Sequence, residues 1–402
     1  MSLPTVLLRP GEADRIVAGH PWVYHGSILR LTQPTPDGSV VQVKDHRQRF
    51  LGVGLYNSKS RINVRLLASE RVEIDESFFE QRIRESLALR SRHLPGTSSF
   101  RAVNSEGDFL SGLIVDKYED VLAVQTSALG MDARKPEIFR VLQRLLAPRA
   151  IVERNDVASR KFEGLPDAQG VVSGRLDATV PVSLNGLRFE TDILAGHKTG
   201  LYLDQQVNYQ RVASLLRPGS GARVLDCFSF LGGFALHAAR AGAAEVLALD
   251  QSAEAVAAAN RNAQANGLSG RCRFEVANVF DWLKAHTQFK PDGPPPDRFD
   301  LIILDPPSFT RNRASVPDAM RGYKEIHLRA LRLLKPGGTL ATFCCSHHVD
   351  SRLFLDGILS AAFDARKVLR RIATYEQSPD HPVIPSIPET EYLKGFAFEL
   401  VR

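Results

Sequence analysis

Short apolar runs separated by turn residues mark the first part of the chain. The runs are SVVQVKD (39–45), FLGVGLY (50–56) and INVRLLA (62–68), and the segments between them, HRQR (46–49) and NSKSR (57–61), are polar. Runs of this length, rich in Val, Ile and Leu and bounded by polar turns, are typical of β-strands. The pattern predicts a small β-barrel at the N-terminus.

A longer pattern with helical spacing follows the predicted barrel. In the segment 75–94, apolar residues recur at positions 78, 79, 83, 87 and 94 with Arg and Glu between them. This spacing predicts an amphipathic helix. From residue 100 to 190, short strand-like runs lie on both sides of one helical segment, PEIFRVLQRLLA (136–147), which predicts a mixed α/β middle domain.

Strand-like and helix-like segments alternate from about residue 195 onward. They begin with ARVLDCF and FALHAARAG, continue through EVLALD and SAEAVAAANRNAQANG, and end with FDLIILD, IHLRALRLL and TLATFCCS. Strands that alternate with helices of this length indicate βαβ units and a parallel sheet. The predicted fold class is therefore α/β, with a doubly wound sheet in the C-terminal half.

Composition narrows the class of protein. Hydrophobic residues make up 44% of the 402 residues and charged residues 24%, as in ordinary globular proteins. Because we find neither a signal peptide pattern nor an apolar run of about 18 residues, we expect a cytoplasmic protein without a membrane anchor. A net charge of +6 permits a polyanionic partner such as RNA without requiring one.

A strand, a glycine-containing turn and a helix are predicted within VLDCFSFLGGFAL (224–236), where the turn contains Gly232 and Gly233. The next strand, EVLALD (245–250), ends in Asp250, whose carboxylate could accept both ribose hydroxyls of an adenosine. Together these features predict a cofactor that contains adenosine. The sequence Cys-Phe-Ser at 227–229 replaces the first glycines of a dinucleotide fingerprint, which argues against NAD. The alternative is structural: tight packing at the glycines and a helix cap at Asp250.

A second apolar strand stops abruptly at two prolines in FDLIILDPPSF (299–309). Since proline cannot continue a central strand, the chain must leave the sheet there, with Asp305 at the carboxyl edge where α/β sheets bind ligands. A carboxylate at this edge can hydrogen-bond the exocyclic amine of a base. The alternative is a proline-rich turn with a capping aspartate.

The segment TLATFCCSHHV (339–349) places two cysteines and two histidines at the end of a strand. Adjacent side chains on a strand point to opposite faces, so we expect no metal site here. We interpret Cys227 and Cys272 as buried, inert thiols. A thiol at a strand end beside the Asp305 loop is instead a candidate nucleophile.

With these segments in place, the chain resembles the bacterial large-subunit ribosomal RNA cytosine-C5 methyltransferases that carry an N-terminal PUA domain. The resemblance covers GHPWVY (19–24), SEGDFLSGLIVDKY (105–118), GHKTGLYLDQQVN (196–208), RGYKEI (321–326) and HPVIPSIPETEYLKGF (381–396) in addition to the segments above. It implies a PUA-like RNA-binding domain at 1–73, a central α/β domain at 74–180 and a Rossmann-like methyltransferase domain at 181–402. It also implies S-adenosylmethionine as methyl donor, S-adenosylhomocysteine as product and 23S rRNA as partner.

The resemblance also assigns roles to individual residues. The nucleophile would be Cys345, adding to carbon 6 of cytosine, and Asp305 would hold the amino and N3 edge of the base. The cofactor would be bound by Tyr202, Asp204, Gln205 and Asn208 at its methionine end, by Phe228, Ser229, Gly232 and Gly233 in the turn, by Asp250 at the ribose and by Asn278 at the adenine.

This sequence departs from the family pattern at three of these segments. The family commonly has Arg where Gln206 stands, Asp where Asn278 stands and Ser where Cys344 stands. Ser308 follows the two prolines, where many RNA cytosine methyltransferases have a second cysteine that helps to release the product. The base that removes the C5 proton is therefore not assigned.

Basic residues of the N-terminal domain are candidates for contacts with RNA phosphates, with a solvated protein face as the alternative. These residues are Arg15, Lys44, Arg47, Arg49, Lys59 and Arg61. Two other functions are left open. One is methylation of an exocyclic amine of adenine or guanine, which needs no cysteine, and the other is RNA binding without catalysis. The oligomeric state is also open, with a homodimer among the alternatives.

Overall fold

The chain folds into two compact units in a computed structural model that describes residues 3–194, 196, 200–217, 219–288, 298–310 and 312–402. Unit 1 comprises Met1–Val182, Thr191–Leu203 and Pro379–Glu391, and unit 2 comprises Ser183–Glu190, Asp204–Ser378 and Tyr392–Arg402. The sequence analysis predicts three domains. The division into two compact units does not test their boundaries, which stay a prediction. Within the described ranges, no helix is both long and apolar enough to cross a bilayer.

The described residues of unit 1 form two sheets and four α-helices. The strands are β1 (Thr5–Leu8), β2 (Trp22–Tyr24), β3 (Ile28–Leu31), β4 (Val40–Lys44), β5 (Phe50–Tyr56), β6 (Ile62–Ala68), β7 (Phe100–Asn104), β8 (Leu113–Tyr118), β9 (Val121–Thr126), β10 (Ala150–Asn155) and β11 (Ala168–Gly174). The helices are α1 (Asp14–Val17), α2 (Glu76–His93), α3 (Leu129–Asp132) and α4 (Lys135–Leu146). The residues of a two-stranded sheet, β12 (Val180–Leu184) and β13 (Leu187–Thr191), are divided between the units.

The N-terminal sheet has six strands in the order β2-β6-β5-β4-β1-β3, so the three strands predicted at 39–45, 50–56 and 62–68 are confirmed as β4, β5 and β6. Strand β1 is parallel to β4, and β4, β5 and β6 pair in antiparallel fashion. Alternating side chains of these strands, such as Val41, Val43 and Val64, are fully buried in one apolar cluster. Burial of one face by alternation is what fixes the register of such strands.

The second sheet of unit 1 has five strands in the order β11-β10-β9-β8-β7. The predicted helix at 75–94 is confirmed as α2, which begins at the cap Asp75, whose side chain accepts a hydrogen bond from the amide of Phe78. Phe79 and Ile83 of α2 and Ile138 of α4 are fully buried in the same cluster as the sheet residues. The mixed α/β organisation predicted for this region is therefore present.

A segment near the C-terminus completes unit 1. The carbonyl of Asp380 accepts a hydrogen bond from the buried guanidinium of Arg90 at 2.7 Å, and its carboxylate accepts one from the amide of Arg101 at 2.8 Å. Further along the same segment, Glu389 pairs with Arg15 and with His20, each at 2.9 Å. Hydrogen bonds between residues that are 279 to 374 positions apart therefore attach this segment to the N-terminal part of unit 1.

Unit 2 contains the parallel sheet predicted for the C-terminal half. Its strands are β14 (Arg223–Cys227), β15 (Glu245–Asp250), β16 (Cys272–Val276), β17 (Phe299–Leu304), β18 (Leu334–Cys344), β19 (Leu369–Glu376) and β20 (Lys394–Leu400). Its helices are α5 (Gln206–Ala213), α6 (Gly233–Arg240), α7 (Ala253–Ala265), α8 (Val279–Thr287), α9 (Val316–Leu333) and α10 (Ser351–Ala365).

The seven strands of this sheet follow the order β16-β15-β14-β17-β18-β20-β19, and β20 is antiparallel to both of its neighbours. The strand order reverses between β14 and β17. In such sheets the ligand binds at the carboxyl ends of the strands beside this switch point. The register places Cys227, Leu249 and Leu304 level with one another, so the residues that follow β14, β15 and β17 meet at one edge.

Candidate active site

The turn after β14 has an unusual backbone. Phe228 and Phe230 adopt left-handed conformations, with φ of 68° and 47°, and Gly232 follows with φ of 86°. Non-glycine residues rarely occupy this region, and they occur there mostly where the surrounding structure fixes them for a function. Here the amide of Phe230 donates to the carboxylate of Asp250 at 2.8 Å, and the amide of Ser229 donates to the carbonyl of Leu249 at 2.9 Å. The turn is therefore held against the end of β15.

The two glycines of the turn each have a structural reason to be glycine. Gly232 precedes α6 in a left-handed conformation, where a side chain would be strained. A Cβ atom on Gly233 would lie 2.5 Å from the ring of Tyr209, which packs over the start of α6. The packing alternative considered for these glycines is thus present in the fold, and their contact with a cofactor stays a prediction.

A buried carboxyl group that the sequence analysis left without a role lies beneath the turn. Asp226 is fully buried, and its Oδ2 accepts a hydrogen bond from the amide of Ala235 in α6 at 3.0 Å. Burial raises the pKa of Asp226 well above its usual range, and the nearby carboxylates of Asp305 and Asp250 raise it further. The sequence signal that could have identified Asp226 is a carboxylate within the otherwise apolar strand VLDCF.

Buried polar atoms without partners point to a bound ligand. Six buried side-chain atoms of the described residues have no hydrogen-bond partner, and three of them, Asp226 Oδ1, Ser229 Oγ and Asn208 Oδ1, belong to β14, the turn after it and α5. Unpaired buried polar atoms are rare in proteins and call for an explanation. All three atoms can accept a hydrogen bond, and the amino acid end and ribose of S-adenosylmethionine carry an ammonium and two hydroxyl donors. The residues present therefore fit the predicted cofactor.

The predicted ribose and adenine residues lie at the carboxyl ends of adjacent strands. Asp250 ends β15, and its Oδ1 accepts a hydrogen bond from the amide of Ser252 at 2.9 Å. Asn278 follows β16 and caps α8 by accepting hydrogen bonds from the amides of Phe280 and Asp281. Because an aspartate would cap this helix equally well, the departure from the family at this position preserves the local backbone. Both cofactor contacts stay predictions.

The segment predicted to hold the methionine end is divided between the units. Tyr202 belongs to unit 1, whereas Asp204, Gln205 and Asn208 are buried in unit 2. Asp204 accepts a hydrogen bond from the hydroxyl of Tyr392 at 2.8 Å. Asn208 donates to the side-chain oxygen of Gln205 at 2.7 Å. This chain of contacts orients the amide group of Gln205.

The amide group of Gln205 contacts Asp305, the carboxylate that is predicted to bind the base. Its Nε2 donates a hydrogen bond to Asp305 Oδ1 at 3.0 Å, across 100 positions of sequence. Asp305 follows β17 and is partly exposed, as predicted from the two prolines that come directly after it in the sequence. This contact shows that Gln205 touches the Asp305 loop, a position that the sequence motif alone did not reveal.

The two neighbouring cysteines have different surroundings. Cys345 is partly exposed, and its Sγ lies 3.8 Å from the carbonyl of Pro306 in the Asp305 loop. Cys344 is fully buried, and its Sγ donates to the hydroxyl of Tyr323 at 3.3 Å. The structure thus brings Cys345 beside the Asp305 loop and turns Cys344 into the core, as the alternation of a strand requires. Burial also raises the pKa of Cys227 well above its usual range and that of Cys272 to about 12, in keeping with inert thiols.

Hydroxyl groups connect the cysteine strand to the Asp305 loop. Ser346 Oγ lies 2.8 Å from Ser308 Oγ and 3.2 Å from the hydroxyl of Tyr323. Burial raises the pKa of Tyr323, and the neighbouring Cys344 raises it further. The phenol therefore stays protonated near neutral pH, and the hydroxyl chain ties the two loops together without supplying a base.

The basic residues predicted to contact RNA fall into separate groups in unit 1. Lys44, Arg47 and Arg49 lie around the turn from β4 to β5, and Lys59 and Arg61 lie in the turn from β5 to β6. These turns are at opposite ends of β5, which at about 3.3 Å per residue spans roughly 20 Å. The charge of Arg49 is paired with the carboxylate of Asp45 at 2.5 Å.

Arg15, the remaining basic candidate, lies outside both groups. Its guanidinium pairs with Glu389 and lies over the ring of Tyr24, 5.2 Å from the ring centroid. The six cations are therefore not one compact patch.

Comparison with known protein families defines the class. A PUA-like domain matches residues 6–69, and an S-adenosylmethionine-dependent methyltransferase domain matches residues 130–394, which is more than half of the chain. The chain belongs to the S-adenosylmethionine-dependent methyltransferase family. The predicted methyl donor, the PUA domain and the Rossmann-like fold class are thereby confirmed.

Similar proteins give a more particular picture. The chain is 37% identical over 399 residues to ribosomal RNA large subunit methyltransferase I of Klebsiella pneumoniae, with 98% of each chain covered. It is 36% identical to the protein of that name from Salmonella arizonae, covering 98% of this chain and 97% of the relative. The structure of SMU.776 complexed with SAH has a TM-score of 0.82 at 20% identity, covering 99% of this chain and 100% of that chain. A methyltransferase structure from Streptococcus mutans has a TM-score of 0.80 at the same identity, with the same coverage, and both likenesses show the fold.

We expect Asp250→Ala to weaken the binding of S-adenosylmethionine by about 1.5–3 kcal/mol, the scale of hydrogen bonds to a charged group. Titration calorimetry measures this change. Glu245→Ala is a matched control, because Glu245 is an exposed carboxylate at the opposite end of the same strand. Because the Asp250 carboxylate also accepts hydrogen bonds from two backbone amides, thermal unfolding must show that the variant is folded. Unchanged affinity in the folded variant would remove Asp250 from the cofactor site.

Proposed function

We propose that this protein methylates carbon 5 of a cytosine in large-subunit (23S) ribosomal RNA through a covalent bond between Cys345 and carbon 6 of the base. The observation that carries the proposal is the partly exposed thiol of Cys345 beside the Asp305 loop. The RNA substrate is supported by similarity over nearly the whole chain to proteins named ribosomal RNA large subunit methyltransferase I.

The chemistry of cytosine explains why a thiol is needed. Carbon 5 is a weak nucleophile, and addition of the Cys345 thiolate to carbon 6 shifts electron density onto it. The bound cofactor supplies an electrophilic methyl group on sulfur. After transfer, a base, which is not assigned here, takes the proton from carbon 5. The electron pair of that C–H bond restores the double bond as the bond from Cys345 Sγ to carbon 6 breaks, and the thiolate is regenerated.

Asp305 supports this chemistry from the other side of the base. Its carboxylate can accept a hydrogen bond from the cytosine amino group and stabilise the ring as charge develops during thiolate addition. The hydrogen bond from Gln205 fixes one of the carboxylate oxygens in advance. Such preorganisation is what makes a charged group effective in the transition state. We therefore assign Asp305 to base binding and Gln205 to its orientation.

The remaining cofactor assignments belong to this proposal as well. The turn residues Phe228, Ser229 and Gly232 would line the cofactor, and Asp226 would receive its ammonium group through the unpaired Oδ1. Asp204 and Asn208 would lie near the methionine end. The family resemblance adds Tyr202 to this set.

The basic groups on β5 give separate predictions for RNA binding. Neutralising Lys44, Arg47 and Arg49, or alternatively Lys59 and Arg61, should flatten the dependence of log K on log salt. The expected change is up to ~0.7 per lost contact if the bound RNA is single-stranded. Because the groups lie at opposite ends of the strand, they are tested separately by filter binding to an rRNA fragment at several salt concentrations. If neither set changes the slope, both are solvated surface.

Mass mapping of modified nucleotides in large-subunit rRNA tests the proposal itself. Cells with and without the gene are compared, and the expected difference is one 5-methylcytosine. Loss of a methylated exocyclic amine on adenine or guanine would instead support the amino-group alternative. An unchanged pattern, together with RNA binding by the purified protein, would support the non-catalytic alternative.

A further inference from the structure

Lys394 lies on β20, the strand that pairs with β18, and Cys344 and Cys345 lie at and directly after the end of β18. It begins β20 and pairs in antiparallel register with Cys344 of β18. Only 8% of Lys394 is exposed. A buried ammonium group is costly unless it is hydrogen-bonded, so its partners indicate its role.

The ammonium group of Lys394 donates hydrogen bonds to two carbonyl groups in the turn that follows Cys345. Nζ donates to the carbonyl of Ser346 at 2.8 Å and to the carbonyl of Val349 at 2.7 Å. The amide of Val349 also donates to the carbonyl of Ser346 at 3.3 Å, which closes the turn. Lys394 therefore bridges the two ends of the segment that connects Cys345 to α10.

The side chain of Ser346 fixes the same turn from another direction. Its hydroxyl contacts Ser308 and Tyr323, as described above. The residue next to the thiol is thus held by its carbonyl to β20 and by its hydroxyl to the Asp305 loop and α9. This arrangement leaves the Cys345 side chain little freedom relative to the loop that would hold the base.

We infer that Lys394 is a positioning residue for Cys345, holding the turn beside the thiol and increasing its thiolate fraction near neutral pH. The inference rests on the proposed role of Cys345 as nucleophile. Positive charge beside a cysteine favours the thiolate, and a buried charge acts more strongly than one in water. Removing the charge should therefore move the ionisation of the thiol to higher pH.

Other groups around the thiol affect its ionisation differently. Asp305, in the loop contacted by Cys345, is a carboxylate and opposes formation of the thiolate. Tyr323 of α9 is buried, and burial raises its pKa, so the phenol is neutral near pH 7. In the turn itself, His347 is exposed, with its ring 5.5 Å from that of Tyr392. The ammonium group of Lys394 contributes a positive charge, whose effect on the thiol is opposite to that of Asp305.

The test measures alkylation of Cys345 by iodoacetamide across pH in the full chain without RNA, followed by mass spectrometry. A Cys344→Ser background leaves one thiol in the peptide. Lys394→Gln removes the charge and keeps a hydrogen-bond donor, Lys394→Met removes both, and Lys394→Arg keeps the charge. With Gln and Met, we expect the midpoint pH to rise by about one unit and the rate at pH 7 to fall about tenfold, while Arg stays near wild type.

Two results would overturn the inference: an unchanged midpoint in the folded Gln variant, or an equal rise in the Arg and Gln variants. Thermal unfolding shows which variants are folded. If Lys394→Met does not fold, the test uses Lys394→Gln alone to measure the effect of removing the charge. A role in packing alone would not move the midpoint. This test and the test of the proposed function can fail independently. Methylation by Cys345→Ser would exclude Cys345 as the nucleophile, but it would not change the alkylation result.

Discussion

Replacing Cys345 with serine should reduce formation of 5-methylcytosine by about 1,000-fold or more, because the reaction loses its nucleophile. The same variant should fail to form a gel-stable adduct with RNA that contains 5-fluorocytosine. With the wild-type protein this adduct accumulates after methyl transfer, because fluorine cannot leave carbon 5 as a proton does. The measurements are methyl incorporation into an rRNA transcript and denaturing gel electrophoresis.

Cys344→Ser is the matched control for this experiment. Cys344 is the neighbouring thiol, is fully buried against Tyr323 and stands where the family commonly has serine. It should therefore retain both methylation and adduct formation. An adduct that survives in Cys345→Ser and disappears in Cys344→Ser would reverse the assignment of the nucleophile. Full methylation by the double variant would exclude covalent catalysis and favour the amino-group alternative.

Asp305→Asn should lower kcat by about 100-fold to 1,000-fold, the range found when a preorganised group that stabilises transition-state charge is removed. The amide keeps nearly the same shape and can still accept a hydrogen bond from Gln205. It loses the negative charge that, in the proposed mechanism, accepts a hydrogen bond from the cytosine amino group. Single-turnover methylation of the rRNA transcript measures the rate of the chemical step.

Asp300→Asn provides a control within the same strand. Asp300 lies near the start of β17, where it accepts hydrogen bonds from the amide of Arg223 and from Lys335, both at 2.8 Å. Its replacement should leave the methylation rate unchanged. Both variants should bind S-adenosylmethionine like the wild type. A normal rate in Asp305→Asn would show that the carboxylate does not act on the base.

Much of the fold could be predicted because its signals are local. The strands at 39–45, 50–56 and 62–68 alternate with turns, and the helix at 75–94 has a regular apolar spacing. The proline pair after Asp305 likewise located the end of β17. Each of these signals depends on neighbouring residues alone, so the sequence contains all the information that is needed.

The contacts that complete the candidate site could not be predicted in the same way. Gln205 reaches Asp305 across 100 positions, and Lys394 reaches Ser346 across 48. Such pairs depend on strand order and register in the folded sheet. The left-handed conformation of Phe228 was also hidden, since aromatic residues rarely adopt it and no glycine marks the position.

The separation of the basic residues could not be predicted for a different reason. Lys44 and Lys59 are close in sequence, yet successive hairpins place their turns at opposite ends of β5. The antiparallel pairing of β4, β5 and β6 would have revealed this separation. Distance along a chain is thus a poor guide to distance across a meander of strands.

The C-terminal segment within unit 1 has a consequence for biosynthesis. A ribosome makes the chain from its N-terminus, so Arg90 and Arg101 emerge long before Asp380, which accepts their hydrogen bonds. The N-terminal part of unit 1 therefore lacks these hydrogen bonds until the residues up to Asp380 have been translated. Completion of unit 1 is thus coupled to synthesis of the residues of unit 2 that lie between its N-terminal part and this segment in the sequence.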